Sequence, residues 1–153
     1  MAITGLTTFL WFDNEAEEAA EFYVSLFPGS RITSVSHYGP GSPKPEGSVL
    51  TVAFELFGQS FSALNASPQF PHSEAVSFMV HCDTQDEVDF VWNAIVDSGG
   101  QESQCGWCTD RFGVSWQIIP HALGAALSNP DPEKSQKAFA AMMKMTKIVI
   151  DDL

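Results

Sequence analysis

The feature that most restricts what this chain can fold into is an internal repeat. Phe9-Leu10-Trp11-Phe12 is an apolar run closed by Asp13, and Asn14-Glu15-Ala16-Glu17 leads from it into Ala19, Ala20 and Tyr23. Ala16, Ala19, Ala20 and Tyr23 fall on one helical face, Asn14 with Glu17 predicts a capping box, and Pro28-Gly29 ends the helix. The same order returns 70 residues later. Val76 to Cys82 is the strand and Asp83 closes it. Thr84 with Glu87 forms the capping box, Val88, Val91, Trp92 and Ile95 are the helical face, and Gly99-Gly100 is the stop.

Each helix is followed by β-prone stretches. These are Arg31 to Tyr38, Ser48 to Phe57 and Gln59 to Asn65 in the first half, and Gln101 to Asp110 and Val114 to Pro120 in the second. Both halves therefore read βαβββ, an α+β fold of two modules at about 1–66 and 74–120. The segment Gly39 to Gly47 reads as a long mobile hairpin loop, and Ser67 to Ser73 as the linker. Neither half has a comfortable domain's length, so the two are expected to pack as one pseudo-symmetric domain spanning 1–153. The remainder, 121–153, lies outside the repeat. It predicts a short helix at Leu123 to Leu127, a break at Asn129-Pro130-Asp131-Pro132 and a helix from Glu133 to Lys144. Phe139, Met142 and Met143 would be its packing side. Lys147-Ile148-Val149-Ile150 is β-prone and predicts pairing with a free edge, in this chain or a second copy.

Charge narrows the function classes. Nineteen acidic residues oppose seven basic ones for a net charge of −12, a balance that repels phosphate backbones and anionic lipid. Apolar runs stop well short of the roughly 18 residues of a membrane span, and Met1-Ala2-Ile3-Thr4 lacks a basic signal-peptide start. The expectation is a cytoplasmic protein with neither nucleic-acid nor membrane partners. Cys105-Gly106-Trp107-Cys108 reads as packing rather than a redox pair. A reactive first cysteine needs a helix N-terminus, this segment reads as strand, and no second pair completes a zinc site. His37, His72, His81 and His121 show no metal-ligand spacing, although His81 and His121 both lie near strand ends in the second half. The carboxylates gather in first helical turns, where they favour the dipole and solvation.

The duplicated halves, the Asp closing the first strand of each, and Asp110-Arg111-Phe112-Gly113 leading to Trp116-Gln117-Ile118 resemble the glyoxalase/bleomycin-resistance (vicinal oxygen chelate) superfamily. Ala16 to Tyr23, Ser77 to Asp83, Cys105-Gly106-Trp107 and Phe112 to Gln117 resemble its PhnB-like branch, also called 3-demethylubiquinone-9 3-methyltransferase. The resemblance implies cupped mixed sheets with a helix on the convex side, usually in a homodimer. It also implies a divalent metal in catalytic members, held seven residues before the strand-closing Asp and four after a later turn Gly. Those positions fall on Leu6, Val76, Ser62 and Gln117, of which only Gln117 could ligate. One neutral amide cannot hold a hard cation, so no metal and no cofactor are expected. The methyltransferase name lacks physical support, because no Gly-x-Gly turn follows a strand to bind a nucleoside cofactor.

Taking Leu6 and Val76 as facing inward, alternation adds Thr8, Leu10 and Phe12 in one half, and Phe78, Val80 and Cys82 in the other. Gln117 would bring Ser115 and Ile119 to that side, with Trp107, Asn65 and Phe70 at the rim. The candidate ligand-binding residues are thus Gln117, Ser115, Trp107, Cys105, Asn65 and Phe78. The expected partner is a small, partly apolar molecule bound without metal. The alternatives are a metal-dependent glyoxalase or dioxygenase-type enzyme using Gln117, and a dimeric protein whose cup is filled by its own side chains.

Overall fold

The computed structural model describes residues 1–153 and divides into two compact units, Met1–Pro71 and His72–Leu153. The first runs β1 (Thr8–Phe12), α1 (Ala16–Leu26), β2 (Arg31–His37), β3 (Val49–Leu56) and β4 (Gln59–Asn65). Its sheet has the order β1-β4-β3-β2, with β1 parallel to β4 and the other pairs antiparallel. The second runs β5 (Ser77–Cys82), α2 (Gln85–Asp97), β6 (Gln101–Glu102), β7 (Trp107–Thr109) and β8 (Ser115–Pro120). It continues with α3 (His121–Leu127), α4 (Pro132–Met142) and a 3-10 turn at Ile150–Asp152. Its sheet repeats the pattern as β5-β8-β7-β6. Each unit is a βαβββ module, and no helix is long and apolar enough to cross a membrane.

The helices form where their apolar spacing requires and bury that spacing. Ala16, Ala19, Ala20 and Tyr23 of α1 are fully buried, as are Val88 and Ile95 of α2, with Val91 and Trp92 nearly so. The predicted Thr84–Glu87 capping box is present. The Asn14–Glu17 box is not, because Asn14 Oδ1 accepts from Lys44 Nζ at 2.6 Å. Asn65 Oδ1, brought round at the end of β4, accepts from Ala16 N at 2.8 Å instead. Lys44 also donates to Asp13 O at 2.7 Å, and Tyr38 and Gly47 continue the hairpin ladder. The loop read as mobile is therefore tied to the start of α1.

Two further expectations change. The stretch Gln101 to Asp110 does not form one strand: a turn at Cys105-Gly106 divides it into β6 and β7. Gly106 sits at φ +85, where a Cβ would stand 2.9 Å from Ile119 Cδ1 and 3.0 Å from Ile148 Cγ1, so a side chain there meets both backbone strain and a clash. The C-terminal segment pairs with no edge as a strand. Met145 O and Thr146 O accept from the amides of Cys105 and Gly106 in that turn. Gln85 then grips both Ile148 O (3.0 Å) and Ile150 N (2.8 Å). The tail is held by its own unit because the turn offers unpaired N–H groups and Ile148 becomes fully buried there. The predicted packing side of α4 is also only partly used: Ala138 is buried, whereas Phe139 and Met143 are exposed.

Candidate functional site

Strand register decides which side chains can act together. In the second unit, β5 and β8 pair Ser77 with Ser115, Phe78 with Trp116, Met79 with Gln117 and His81 with Ile119. The β7–β8 pair adds Thr109 to Ser115 and Trp107 to Gln117. Paired residues share a face. The buried set Val80, Cys82, Cys108, Trp116 and Ile118 forms the core face. The other face carries the rows Ser77–Ser115–Thr109 and Met79–Gln117–Trp107 and, next along, the pair His81–Ile119.

Of the six residues singled out from the sequence, this face brings together Gln117, Ser115 and Trp107. Phe78 does not join them. It lies beside Trp116 on the core face, their rings 5.5 Å apart, so alternation carried from Val76 put Phe78, Val80 and Cys82 on the wrong side relative to Gln117. Val76 precedes β5 and is outside the ladder that fixes phase. The same slip affects the first unit. Leu10 and Phe12 are buried in register with Ala63 and Asn65, while Phe9 and Trp11 pair with Ser62 and Leu64 on the opposite face. Cys105 lies in the turn before β7, its sulfur 3.9 Å from Met143 Sδ. Asn65 belongs to the first unit, where its amide is spent on Ala16 N and Val49 O. Phe70 stacks edge-on against Trp11.

The polar row has an unusual member. Gln117 Nε2 donates to Ser77 Oγ at 2.9 Å, which orients both groups. Ser115 is only 2% exposed, and its hydroxyl has no partner. A buried hydroxyl without a hydrogen bond costs roughly 1–3 kcal/mol. Ser77, Met79 and Thr109 were missed in the sequence; pairing Gln117 with a parallel neighbour would have found the first two.

The hairpin presenting these rows is built on Asp110. Its buried carboxylate accepts from Phe112 N (2.9 Å), Val114 N (3.0 Å) and Trp116 Nε1 (2.9 Å). Gly113, at φ +89, closes the turn by donating to Asp110 O. The Asp-Arg-Phe-Gly motif is thus a structural hub.

The metal positions implied by the resemblance do not form a ligand set. Leu6 and Val76 are exposed hydrocarbons that cannot ligate, and the Gln117 amide donates to Ser77. Cys82 and Cys108 are poor nucleophiles. Burial, with Glu87 and Asp83 nearby, pushes Cys82 up to about 11. Burial, with Asp110 and Glu102, pushes Cys108 up to about 12. All three cysteines are free. In the first unit an open cleft of about 300 Å³ is bordered by Asn14, Glu17, Lys44 and Asn65. Apart from Glu17, those polar groups are already engaged by one another or by backbone.

The family model described as 3-demethylubiquinone-9 3-methyltransferase matches residues 4–119. A solved PhnB protein from Bacillus cereus is 36% identical over 76% of this chain and 99% of its own, with a TM-score of 0.70. Protein PA1353 from Pseudomonas aeruginosa is 21% identical over 77% and 98%, with a TM-score of 0.62. A fosfomycin resistance protein, FosX, from Listeria monocytogenes shares the fold at 10% identity over 88% and 99%, with a TM-score of 0.52. No curated protein matches the sequence.

Proposed function

This chain belongs to the PhnB-like family described as 3-demethylubiquinone-9 3-methyltransferase, and from that premise, with the glyoxalase/bleomycin-resistance resemblance of its motifs, we propose that it binds a small, partly apolar molecule without a metal. The ligand lies on the open face of the second sheet. Its apolar part rests on Trp107 and Met79, and its polar end reaches the Gln117 amide. The observation that carries this reading is the oriented Gln117–Ser77 pair with Trp107 and Met79 in register beside it. The Gln117 amide would fix the ligand's polar end, while an indole and a thioether offer apolar contact.

The methyltransferase description gains no support from these residues, since none forms a nucleoside-binding turn. The two rows supply no carboxylate or thiolate, so binding is the activity proposed. A homodimer in the cytoplasm is the expected setting, as in the sequence reading.

Ligand-observed NMR with an aromatic and heteroaromatic fragment library, in EDTA, tests the proposal. Hits should raise the melting temperature, and Trp107→Ala or Gln117→Leu should abolish them. Hits that survive both substitutions, or that appear only when a divalent metal is added and vanish in Gln117→Ala, would refute it.

A further inference from the structure

The four tryptophans differ in how their indole N–H groups are used. Trp11 Nε1 donates to Ser67 O at 2.8 Å, Trp92 Nε1 to Glu102 Oε1 at 3.3 Å and Trp116 Nε1 to Asp110 Oδ2 at 2.9 Å. Trp107 is half-buried, yet its Nε1 donates to no group of the protein. Gln117, its partner across the β7–β8 pair, is used only at one end. Nε2 donates to Ser77 Oγ, which fixes the amide's orientation, while Oε1 accepts from no group of the protein. A free N–H and a free amide oxygen therefore stand on neighbouring antiparallel strands, where paired Cβ atoms are about 5 Å apart. Resting on the binding face proposed for this sheet, we infer that its ligand is a neutral heteroaromatic lactam, whose ring N–H donates to Gln117 Oε1 and whose carbonyl accepts from Trp107 Nε1.

The chemistry of the rows selects this class. Oε1 of an amide can only accept and an indole N–H can only donate, so the ligand must offer one donor and one acceptor side by side. In a lactam those two groups sit on adjacent ring atoms. Met79, on the other side of Gln117 and 47% exposed, gives the ring a thioether to lie against.

Neutrality follows from what the face lacks. The rows contain no Lys, Arg, Asp or Glu, so a charge on the ligand would find no counter-ion there, and the chain's net charge of −12 disfavours anions further. His81, in the next pair along, is engaged by stacking on His121, with ring centres 5.5 Å apart and planes 7° from parallel.

Titration by ligand-observed NMR with three bicyclic probes tests the inference: the lactam carbostyril, its lactone isostere coumarin, and the anion quinaldate. Carbostyril should bind with a Kd on the order of 0.1 mM. Coumarin keeps the ring and the carbonyl but replaces the N–H by oxygen, and should bind about tenfold more weakly. Quinaldate should bind no better than coumarin. Trp107→Phe keeps an aromatic ring and removes the indole donor, so carbostyril and coumarin should both weaken about fivefold with their ratio unchanged. A melting temperature matching that of the parent protein will show that this variant folds. Coumarin within about twofold of carbostyril, quinaldate as tight as carbostyril, or carbostyril binding that ignores Trp107→Phe would overturn the inference and leave the binding face standing. Absence of carbostyril binding overturns it as well, and the wider fragment library then reports on the binding face by itself.

Discussion

Asp110 is a sharp place to test how the second sheet presents its rows. Its carboxylate satisfies three donors at 2.9 to 3.0 Å, two of them backbone amides, and the residue is 3% exposed. Asp110→Ala leaves Phe112 N, Val114 N and the Trp116 indole without that acceptor. At roughly 1–3 kcal/mol per unsatisfied buried donor, with water reaching the half-exposed Phe112 end, the loss should be about 3–5 kcal/mol. For a chain of this length that lowers Tm by about 10 °C, and the urea midpoint falls with it. Trp116→Phe removes only the indole donor and should cost about 1–2 kcal/mol. Combining the two substitutions should then show a coupling of about 1–2 kcal/mol, because the indole has no acceptor left to lose. The same turn sets the β7–β8 register, so Asp110→Ala should also weaken fragment binding. A loss under about 1 kcal/mol, or additive effects in the double variant, would refute the reading of Asp110 as a hub.

Other expectations follow from single contacts. Gln85→Ala should release the C-terminal segment, lowering stability by about 1–2 kcal/mol and speeding hydrogen exchange at the Cys105 and Gly106 amides. Gly106→Ala should cost more than about 2 kcal/mol in the same denaturation assay, from left-handed strain and the contacts its methyl would make with Ile119 and Ile148. Raising the pH ionises thiols in the unfolded chain from about 9, while Cys82 and Cys108 stay protonated until about 11 and 12. Their contribution to stability is therefore complete below pH 9 and lost as pH rises through those values, and Cys108→Ala should flatten the alkaline unfolding curve. Lys147→Met should raise the Asp89 pKa, which the Lys147 and Gln85 hydrogen bonds hold below 3.8. Because that pair is open to solvent at the Asp89 end, stability near neutrality should change by less than about 1 kcal/mol.

What was legible in the sequence, and what was not, divides along a physical line. Helical faces and the Thr84–Glu87 cap depend on residues within one turn, so local spacing sufficed. The cap of α1 depends on Asn65, 49 residues away, and on Lys44 occupying Asn14. Local pattern therefore favoured Asn14 and cast Asn65 as a rim residue. Gln117 and Ser115 share a face, as alternation along β8 predicts, and the β7–β8 register puts Trp107, expected at the rim from its place near a strand end, beside Gln117. Phe78 was misassigned because its phase was counted from Val76, an exposed residue outside the ladder, and a single-residue error inverts a whole strand. The core face gives the needed correction: Val80 and Cys82 are too apolar and too near the helix entry at Asp83 to face solvent. Once they are turned inward, Ser77, Met79 and His81 must point the other way, beside Ser115, Gln117 and Ile119. The neighbours of Gln117 and the pairing of His81 with His121 thus follow from one decision about strand phase, and it is the parallel β5–β8 register that makes that decision.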